Sequence, residues 1–364
     1  MPPAMQAALG LAQQALEADP NPRVGCVIVS GSGEMLGQGH TQRRGGPHAE
    51  VVALEDARSR NLSVKGATAY VTLEPCAHHG RTGPCCDALI AAGIARVVAS
   101  LEDPNPLVAG QGFARLRAAG VTVEIGPGAH ESRALNIGFF SRMLRGTPWV
   151  RLKVAASLDG RTALKDGRSQ WITSSAARDD GHLWRARASA VLTGIGTVIS
   201  DDPELTVRAL PTARQPAVAV VDSRNTLPPS ARLLAAKRPV WVYTAGNPND
   251  PTTPDPRGVT VIARPGKDGQ VDLQAMLADL ALREVNELHV EAGQILNGAL
   301  IKADLVDEYL IYLAPKLIGS GMAIAELGSL AALTDAPTLR FTEQVMVGPD
   351  LRLRALASGR DDFA

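Results

Sequence analysis

The sequence lacks the features that mark secreted, membrane-spanning and disulfide-stabilised proteins. Its start, 1–16, has no basic region followed by an apolar run and a small-residue cleavage site, so no secretory signal is predicted. No apolar stretch approaches the roughly 18 residues needed to cross a bilayer. Only four cysteines occur, and three of them crowd into 76–86, which excludes a disulfide framework and favours metal binding. A cytosolic location is therefore expected.

An excess of charge of either sign is also absent. The chain has 37 Lys and Arg against 37 Asp and Glu, and within 1–146 thirteen basic residues face twelve acidic ones. Proteins that grip a nucleic-acid backbone usually carry a basic surplus. The balance favours a small-molecule substrate over RNA or DNA, and neither nucleic acid nor membrane is expected as a partner.

Length and composition indicate two globular domains. The 364 residues exceed one domain, which typically has roughly 150 residues. Apolar residues make up 45% and charged residues 20%, as in ordinary globular proteins. A short link containing Gly and Pro at 145–148 divides the chain, so we predict domains 1–146 and 147–364. Strands and helices alternate in both, which predicts the α/β class.

The segment 47–86 carries the strongest chemical signal. His48, Cys76 and Cys85 offer one imidazole and two thiolates as zinc ligands, which leaves a fourth tetrahedral position for water. Glu50 is a candidate proton carrier. The pattern His-x-Glu, then Pro-Cys and a further Cys, is typical of zinc nucleobase deaminases. In those enzymes the second Cys usually follows three residues after the first, whereas here it follows nine residues after.

Periodicity places these candidates at the ends of regular elements. Apolar residues continue from His48 at helical spacing, which predicts His48 and Glu50 in the first turn of a helix. A strand over 69–73 ends just before Cys76, and a helix over 85–92 supplies the second thiolate from its first turn. A lone His at a helix start is usually a polar cap, but the combination favours catalysis. The other elements predicted in this half are a helix over 5–16, a strand over 24–29 with a hairpin partner from 35, strands 95–100 and 121–125, and helices 113–119 and 131–144.

The remaining cysteines and two histidines have less specific interpretations. Cys86 adjoins Cys85 on the predicted helix and must point elsewhere, so we interpret it as a packing residue. Cys26 lies in a predicted core strand and is interpreted as structural. His78 and His79 lie in the loop between the thiolates, where an exposed position and substrate contact are equally plausible.

The second half alternates strands and helices without a dinucleotide fingerprint. A strand over 191–193 runs into Gly-Ile-Gly-Thr at 194–197, which either approaches a phosphate or forms a tight turn. No Gly-x-Gly-x-x-Gly appears. The residues alone therefore predict an α/β domain of unspecified ligand. Its predicted elements are strands at 150–154, 217–221, 240–243, 259–262 and 287–291, and helices at 174–188, 273–282 and 296–302.

Several segments together resemble the bifunctional deaminase/reductase family of riboflavin biosynthesis. They cover nearly the full length, and the nine-residue spacing of Cys76 and Cys85 is typical of that family. Two positions depart from the family pattern: Ala77 replaces a common Ser, and 293–296 replaces a Gly-Pro-Thr-Leu type turn. The segments that carry the resemblance are 21–25, 47–50, 74–85, 153–161, 169–173, 201–208 and 314–319.

The resemblance implies a fold and two reactions. The expected fold is a cytidine-deaminase-like three-layer domain followed by a dihydrofolate-reductase-like α/β domain. The first would deaminate 2,5-diamino-6-(5-phosphoribosylamino)pyrimidin-4-one with zinc, and the second would reduce the ribosyl group to ribityl with NADPH. A homo-oligomer acting on this small pyrimidine ribose phosphate is implied.

The resemblance also implies site residues in the second domain. Arg185 and Arg208 suit a phosphate because a guanidinium offers paired donors, and Lys153 is placed near the reacting sugar. The residues expected to line the NADPH site are Ala155, Trp171, Thr173, Thr197, Asp201, Ser223 and a loop of Gly293, Gln294, Ile295, Leu296, Asn297 and Gly298. Those expected to hold the substrate are Ser169, Arg185, Leu205, Arg208 and Glu291.

Two other functions compete with this interpretation. One is a deaminase acting on a base in tRNA or DNA, with the second half as a binding domain. The other is a ligand-binding regulator whose zinc is purely structural. The balanced charge opposes the first, and Glu50 with a three-ligand zinc set opposes the second.

Overall fold

The computed structural model describes residues 1–77, 83–106, 108–246, 255–360 and 363. The chain divides into two compact units, Met1–Arg145 and Gly146–Ala364. The division lies one residue before the boundary predicted from sequence. None of the helices in the described part of the chain combines the length and apolarity needed to cross a bilayer.

The first unit contains a five-stranded sheet with the order β2-β1-β3-β4-β5. β1 is antiparallel to β2 and β3, as the predicted hairpin requires, and β3, β4 and β5 are parallel. Parallel strands deliver their carboxyl ends to one edge, so the segments after β3 and β4 lie close together. The strands are β1 Gly25–Val29, β2 Met35–His40, β3 Thr68–Val71, β4 Arg96–Ala99 and β5 Thr122–Ile125.

Helices cover both faces of this sheet and make the predicted three layers. A Cβ at Gly25 would lie 1.9 Å from the carbonyl oxygen of Ala8, so only glycine lets α1 approach β1 this closely. On the opposite face a Cβ at Gly37 would lie 2.2 Å from the carbonyl oxygen of Ala53, in α2. The helices are α1 Pro3–Gln14, α2 Ala49–Ser59, α3 Cys85–Ala91, α4 Gln111–Ala118, α5 Ala129–Leu135 and α6 Ile137–Arg145, with a 3-10 turn at Leu16–Ala18.

The single helix predicted over 131–144 is wrong, because the chain breaks at Asn136 into α5 and α6. The buried Asn136 amide accepts a hydrogen bond from the Arg23 N–H at 2.7 Å and donates one to the Arg23 carbonyl at 3.0 Å. An Asn side chain that satisfies a distant backbone in this way favours a helix end over a helix interior. The break therefore holds the segment before β1 in place.

The second unit is built on a nine-stranded sheet with the order β11-β10-β9-β8-β12-β6-β13-β16-β15, beside a small two-stranded antiparallel sheet of β7 and β14. The first seven are parallel, and β16 and β15 are antiparallel additions at one edge. The strands are β6 Trp149–Ser157, β7 Arg161–Leu164, β8 Ala190–Gly194, β9 Ala217–Val221, β10 Val240–Thr244, β11 Thr260–Ala263, β12 Glu287–Val290, β13 Glu308–Ala314, β14 Gly321–Ala323, β15 Leu339–Val347 and β16 Asp350–Ala357.

Helices pack on both faces of the large sheet. Leu277 and Leu300 belong to the apolar core on one face, and Ala177 packs with Leu310 on the other. Both units are therefore of the predicted α/β class. The helices are α7 Ser175–Arg187, α8 Ile195–Asp201, α9 Leu273–Leu282 and α10 Gln294–Lys302, with 3-10 turns at Arg232–Leu234, Lys267–Gly269 and Leu333–Asp335.

One local expectation in the second unit needs correction, and one connection is now defined. The segment 293–298 is not a loop: Gly293 is the N-cap of α10, and helix begins at Gln294. The glycine-rich stretch after β8 likewise starts the short helix α8. Gly194 ends β8 and is the N-cap of α8, whereas Gly293 follows the end of β12 by three residues and is the N-cap of α10, so each strand is connected to its helix by a short link. The antiparallel strands β15 and β16 were not anticipated.

Candidate zinc centre and reductase site

The three zinc-ligand candidates come from three different elements at one edge of the first sheet. His48 is the extended residue that precedes α2. Cys76 follows β3, and Cys85 is the first residue of α3. The Cys86 N–H donates to the Cys76 carbonyl at 3.2 Å, which draws the start of α3 onto the segment after β3. The three candidates therefore lie near element ends as predicted, although β3 ends at Val71, two residues earlier than the predicted strand.

The ligand atoms are spaced as a tetrahedral zinc site requires. His48 Nδ1 lies 3.3 Å from Cys85 Sγ and 3.6 Å from Cys76 Sγ, and all three ligand atoms lie within 4.8 Å of one another. Zinc bonds of about 2.0 Å to nitrogen and 2.3 Å to sulfur would separate tetrahedral N and S ligands by about 3.6 Å. Two thiolates and an imidazole are also the donors that zinc prefers. The residues therefore fit the metal.

Glu50 lies beside the cluster without belonging to it. Its side chain is 3% exposed, in the first turn of α2, and contacts the Cys85 thiol. Burial, and then the negative charge of Cys76, raises the pKa of the Glu50 carboxyl to about 7. Hydrogen bonds from Cys85 and His48 lower the pKa of Cys76, which favours its thiolate form. A carboxyl group with a pKa near neutrality suits both taking and giving a proton.

The other cysteines occupy the positions predicted for packing residues. Cys26 is fully buried in β1, and burial raises the pKa of its thiol. The Cys86 thiol is buried 3.8 Å from a carboxylate oxygen of Asp87. His78 and His79 lie outside the described residues, so their two interpretations stay open.

Glu74 has a role that the sequence did not indicate. It is buried two residues before Cys76 and accepts hydrogen bonds from four backbone N–H groups that lie well beyond it in the chain. No sequence pattern announces these bonds, because the donors belong to a later loop and helix. Only the position of Glu74 beside Pro-Cys could have drawn attention to it.

The strand order of the second unit reverses between β8 and β12. β8 and β12 are neighbours, but the chain leaves β8 toward β9 on one side and leaves β12 toward β13 on the other. Ligands of open α/β sheets bind at such switch points, outside the carboxyl ends of the strands. Thr197 and Gly293 meet here, since a Cβ on Gly293 would lie 3.7 Å from the Thr197 hydroxyl oxygen.

A cluster of charged side chains lies at the same edge. Arg185 donates through Nε and Nη2 to the two oxygens of Glu291, at 2.7 and 2.9 Å, and through Nη1 to the Thr206 carbonyl at 2.5 Å. Lys153 Nζ lies 3.8 Å from Glu291. These contacts use three of the five N–H donors of Arg185, and its guanidinium orients Glu291. The expected role of Arg185 in binding the substrate stays a prediction.

Burial and charge set the protonation states in this cluster. Burial alone would raise the pKa of Glu291, but Arg185 and Lys153 outweigh it and hold that pKa well below its usual range. Burial lowers the pKa of Lys153, and Arg185 lowers it further. His289, which the sequence did not single out, is fully buried 3.7 Å from Glu291, and burial lowers its pKa to about 3. Glu291 is therefore ionised beside a neutral imidazole.

The other expected reductase residues fall into two groups. Asn297 and Gly298 are buried: Asn297 donates to the Ile324 carbonyl at 2.9 Å, and a Cβ on Gly298 would lie 2.1 Å from the Glu326 carbonyl oxygen. They face the segment 324–326, in contrast to the open positions expected for cofactor contacts. More accessible positions are those of Ala155, Ser169, Trp171, Thr197, Asp201, Arg208, Ser223, Gly293, Gln294, Ile295 and Leu296, whereas Thr173 and Leu205 are largely buried.

Known protein families and relatives match both units of the chain. The family model described as the cytidine and deoxycytidylate deaminase zinc-binding region matches 3–101, and the model of the RibD C-terminal domain matches 148–353. The riboflavin biosynthesis protein RibD of Escherichia coli K12 is 47% identical over 97% of this chain and 98% of its own. RibD of Aquifex aeolicus is 40% identical over 95% of this chain and 96% of its own.

Solved structures share the whole architecture. Acinetobacter baumannii RibD superposes with a TM-score of 0.89 at 40% identity, covering 98% of each chain. The chain belongs to the RibD family. A Thermotoga maritima diaminohydroxyphosphoribosylaminopyrimidine deaminase/5-amino-6-(5-phosphoribosylamino)uracil reductase superposes with a TM-score of 0.87 at 31% identity, covering 97% of each chain.

Membership of the RibD family confirms the predicted class of enzyme. The chain is a bifunctional deaminase and reductase of riboflavin biosynthesis, with a zinc-binding deaminase fold before a RibD-type reductase fold. Its cofactors are zinc and NADPH, and the cluster of His48, Cys76 and Cys85 is compatible with the first. The two competing functions lose their basis, because the RibD relatives match both halves at once.

Proposed function

We propose that residues 1–146 deaminate 2,5-diamino-6-(5-phosphoribosylamino)pyrimidin-4-one and that residues 147–364 reduce the ribosyl group of the product with NADPH. The observation that supports the deaminase half is a group of three potential metal ligands beside the buried Glu50. The cluster of Arg185, Glu291 and Lys153 at the switch point supports the reductase half of the proposal. The Thermotoga maritima relative is named as a deaminase and reductase of these two kinds.

In the deaminase reaction His48, Cys76 and Cys85 would hold zinc, with Glu50 as the proton carrier. Bound zinc polarises a water molecule and lowers its pKa. Glu50 takes a proton from the attacking water and passes it to the departing amine. A carbon–oxygen bond forms at the ring carbon as its carbon–nitrogen bond breaks, and ammonia leaves. The burial of Glu50 keeps bulk water from competing for that proton.

In the reductase reaction the chain mainly binds and orients the reactants. NADPH supplies the hydride when bound. Glu291, fixed by Arg185 and Lys153, offers a carboxylate to the sugar hydroxyls at the switch point. We assign the NADPH contacts to Ala155, Trp171, Thr173, Thr197, Asp201, Ser223 and 293–296, and leave out Asn297 and Gly298 because they face 324–326. We assign the substrate contacts to Ser169, Arg185, Leu205, Arg208 and Glu291.

A single incubation tests both halves. The purified protein is mixed with the diamino substrate and NADPH, and ammonia release and NADPH oxidation are followed separately. We expect ammonia first and oxidised cofactor after it. Ammonia release without NADPH oxidation would contradict the reductase assignment. If zinc-loaded protein gives no ammonia and no NADPH oxidation, both assignments are contradicted.

We assign the binding of the substrate phosphate to Arg208. It is 59% exposed, and its carboxylate neighbour Glu204 is 3.9 Å away. The Thr206 contact with Arg185 brings this segment to the charged cluster. We expect Arg208→Ala to raise the KM of the reductase for its substrate about tenfold, with little change in kcat, because a charge-assisted hydrogen bond to phosphate is lost.

The matched control for this prediction is Lys302→Ala. Lys302 is exposed in the last turn of α10, whose first turn lies at the site, so it carries the same charge at the far edge of the sheet. Steady-state kinetics with the deaminated substrate measures both variants. An unchanged KM for Arg208→Ala would remove Arg208 from the site.

We also propose that the enzyme works in the cytosol as a homo-oligomer on small molecules. The balanced charge supports a small substrate over nucleic acid. The large sheet ends in the edge strand β15, where Phe341 and Met346 are 57% and 62% exposed, and such an edge favours pairing with another chain. Sedimentation analysis of the purified protein tests the assembly, and a monomer at micromolar concentration would contradict it.

A further inference from the structure

We propose that Glu74 and helix α4, which supply no zinc ligand, hold the two thiolates at the spacing that zinc needs. The inference rests on the proposed ligand roles of Cys76 and Cys85. Glu74 is the positioning residue, and Arg115 on α4 provides a second contact. Together they tie the segment after β3 and the start of α3 to one rigid helix.

The first tie is the Glu74 carboxylate. Its Oε1 accepts from the N–H groups of Gly112 and Phe113 at 2.8 and 3.1 Å, in the first turn of α4. Its Oε2 accepts from the N–H groups of Gly110 and Asp103 at 2.9 and 3.1 Å, at the two ends of the preceding loop. Four donors saturate a carboxylate, and the start of a helix adds a favourable partial positive charge.

The second observation is the close approach between α4 and the segment that leads to Cys76. A Cβ on Gly112 would lie 2.0 Å from the Pro75 carbonyl oxygen, so this helix start presses directly on the residue before the ligand. The carboxylate and the backbone contact act on consecutive residues, Glu74 and Pro75. Cys76 therefore follows two residues whose positions α4 determines.

The third observation concerns contacts of α4 with the segment that carries the other thiolate. We call Glu74, the start of α4 and Arg115 together the brace. Arg115 Nε lies 2.7 Å from a carboxylate oxygen of Asp87, two residues after Cys85. Arg115 Nη1 donates to the Ala77 carbonyl at 3.4 Å, one residue after Cys76. One side chain of α4 thus contacts both ligand-bearing segments. Arg115 is 45% exposed, so its share of the brace is smaller than that of the buried Glu74.

A change of Glu74 to Gln is the most specific disruption. Gln has the same shape, but its NH2 group would face two backbone N–H donors, so one pair of hydrogen bonds is lost and two donors are left buried. Residues that orient metal ligands typically change metal affinity about 10- to 100-fold when mutated. We expect a loss of zinc affinity in that range for Glu74→Gln.

The experiment uses the full chain and has three readouts. Zinc affinity is measured by competition with a chelator, ligand geometry by the visible absorption of the Co²⁺-substituted protein, and deaminase kcat by ammonia release. All three should change in Glu74→Gln, while NADPH oxidation by the same chain with the already deaminated substrate stays within about twofold of the original. Glu124→Gln is the matched control, since Glu124 is an exposed carboxylate of the same unit that pairs with Arg96.

Unchanged zinc affinity and an unchanged Co²⁺ spectrum in Glu74→Gln would overturn the inference. If that variant does not fold, Arg115→Met decides: zinc affinity about threefold to tenfold lower supports the brace, and an unchanged value overturns it. Failure of the unmodified chain to bind zinc would instead contradict the proposed ligand roles of Cys76 and Cys85.

Discussion

Glu50→Gln should lower deamination by about 10³- to 10⁴-fold while zinc stays bound, because a positioned acid–base group contributes up to about 10⁴-fold. The amide keeps the shape of the side chain but cannot carry a proton between water and the leaving amine. Glu50 is not among the three ligand candidates, so the metal loses no donor. Ammonia release measures the loss, and metal analysis of the same sample measures zinc.

Two comparisons make the result specific to proton transfer. Glu55→Gln changes an exposed carboxylate five residues, or about one and a half helical turns, further along α2 and should leave deamination intact. NADPH oxidation with the already deaminated substrate should be normal in Glu50→Gln, because the reductase site lies in the other unit. Loss of zinc from Glu50→Gln would reassign Glu50 to a structural role, and retained activity would exclude it as the proton carrier.

The zinc cluster could be predicted from the sequence because each ligand lies at the end of a regular element. The start of α2 places His48 and Glu50 on one turn, and the end of β3 and the start of α3 place the two thiolates. A residue next to the end of a helix or strand has a position that its distance along the chain from that end largely determines. The ligand set was therefore readable from local patterns, although the role of each residue stays a proposal.

The cluster of Lys153, Arg185 and Glu291 could not be predicted from the sequence in the same way. Leu152 pairs with Val290 across β6 and β12, so Lys153 and Glu291 lie side by side although 138 positions separate them. Only strand order and register bring them together. Family resemblance named Glu291 and Arg185, but it did not indicate that Arg185 binds Glu291 through both carboxylate oxygens.

The same limitation hid a buried ion network at the centre of the large sheet. Arg151 in β6 is fully buried and donates to Glu287 at 2.8 Å and to Glu308 at 2.9 Å. Arg187 and Arg354 reach these carboxylates from partly exposed positions, at 2.8 and 2.7 Å. In the sequence Arg151 appears only as a polar residue in an alternating strand. Its partners lie in β12 and β13, more than 130 residues away.

Arg151→Met should lower the free energy of unfolding of the second unit by about 3–5 kcal/mol, because removing one partner of a buried ion network leaves uncompensated charge. All four tryptophans, Trp149, Trp171, Trp184 and Trp241, lie in this unit, so urea unfolding followed by tryptophan fluorescence reports on it alone. Zinc retention by the other unit should not change.

The pH dependence of this loss separates charge from packing. Burial tends to raise the pKa of Glu308, but Arg151 and Arg354 outweigh it and hold that pKa at about 2. The unmodified chain therefore gains stability from Glu308 above pH 4.5, and that contribution is lost as the pH falls toward 2. Without Arg151 the folded-state pKa rises, so the variant gains relative stability on acidification. The difference between the two proteins should shrink as the pH falls from 4.5 toward 2, and a constant difference over that range would assign the loss to packing alone.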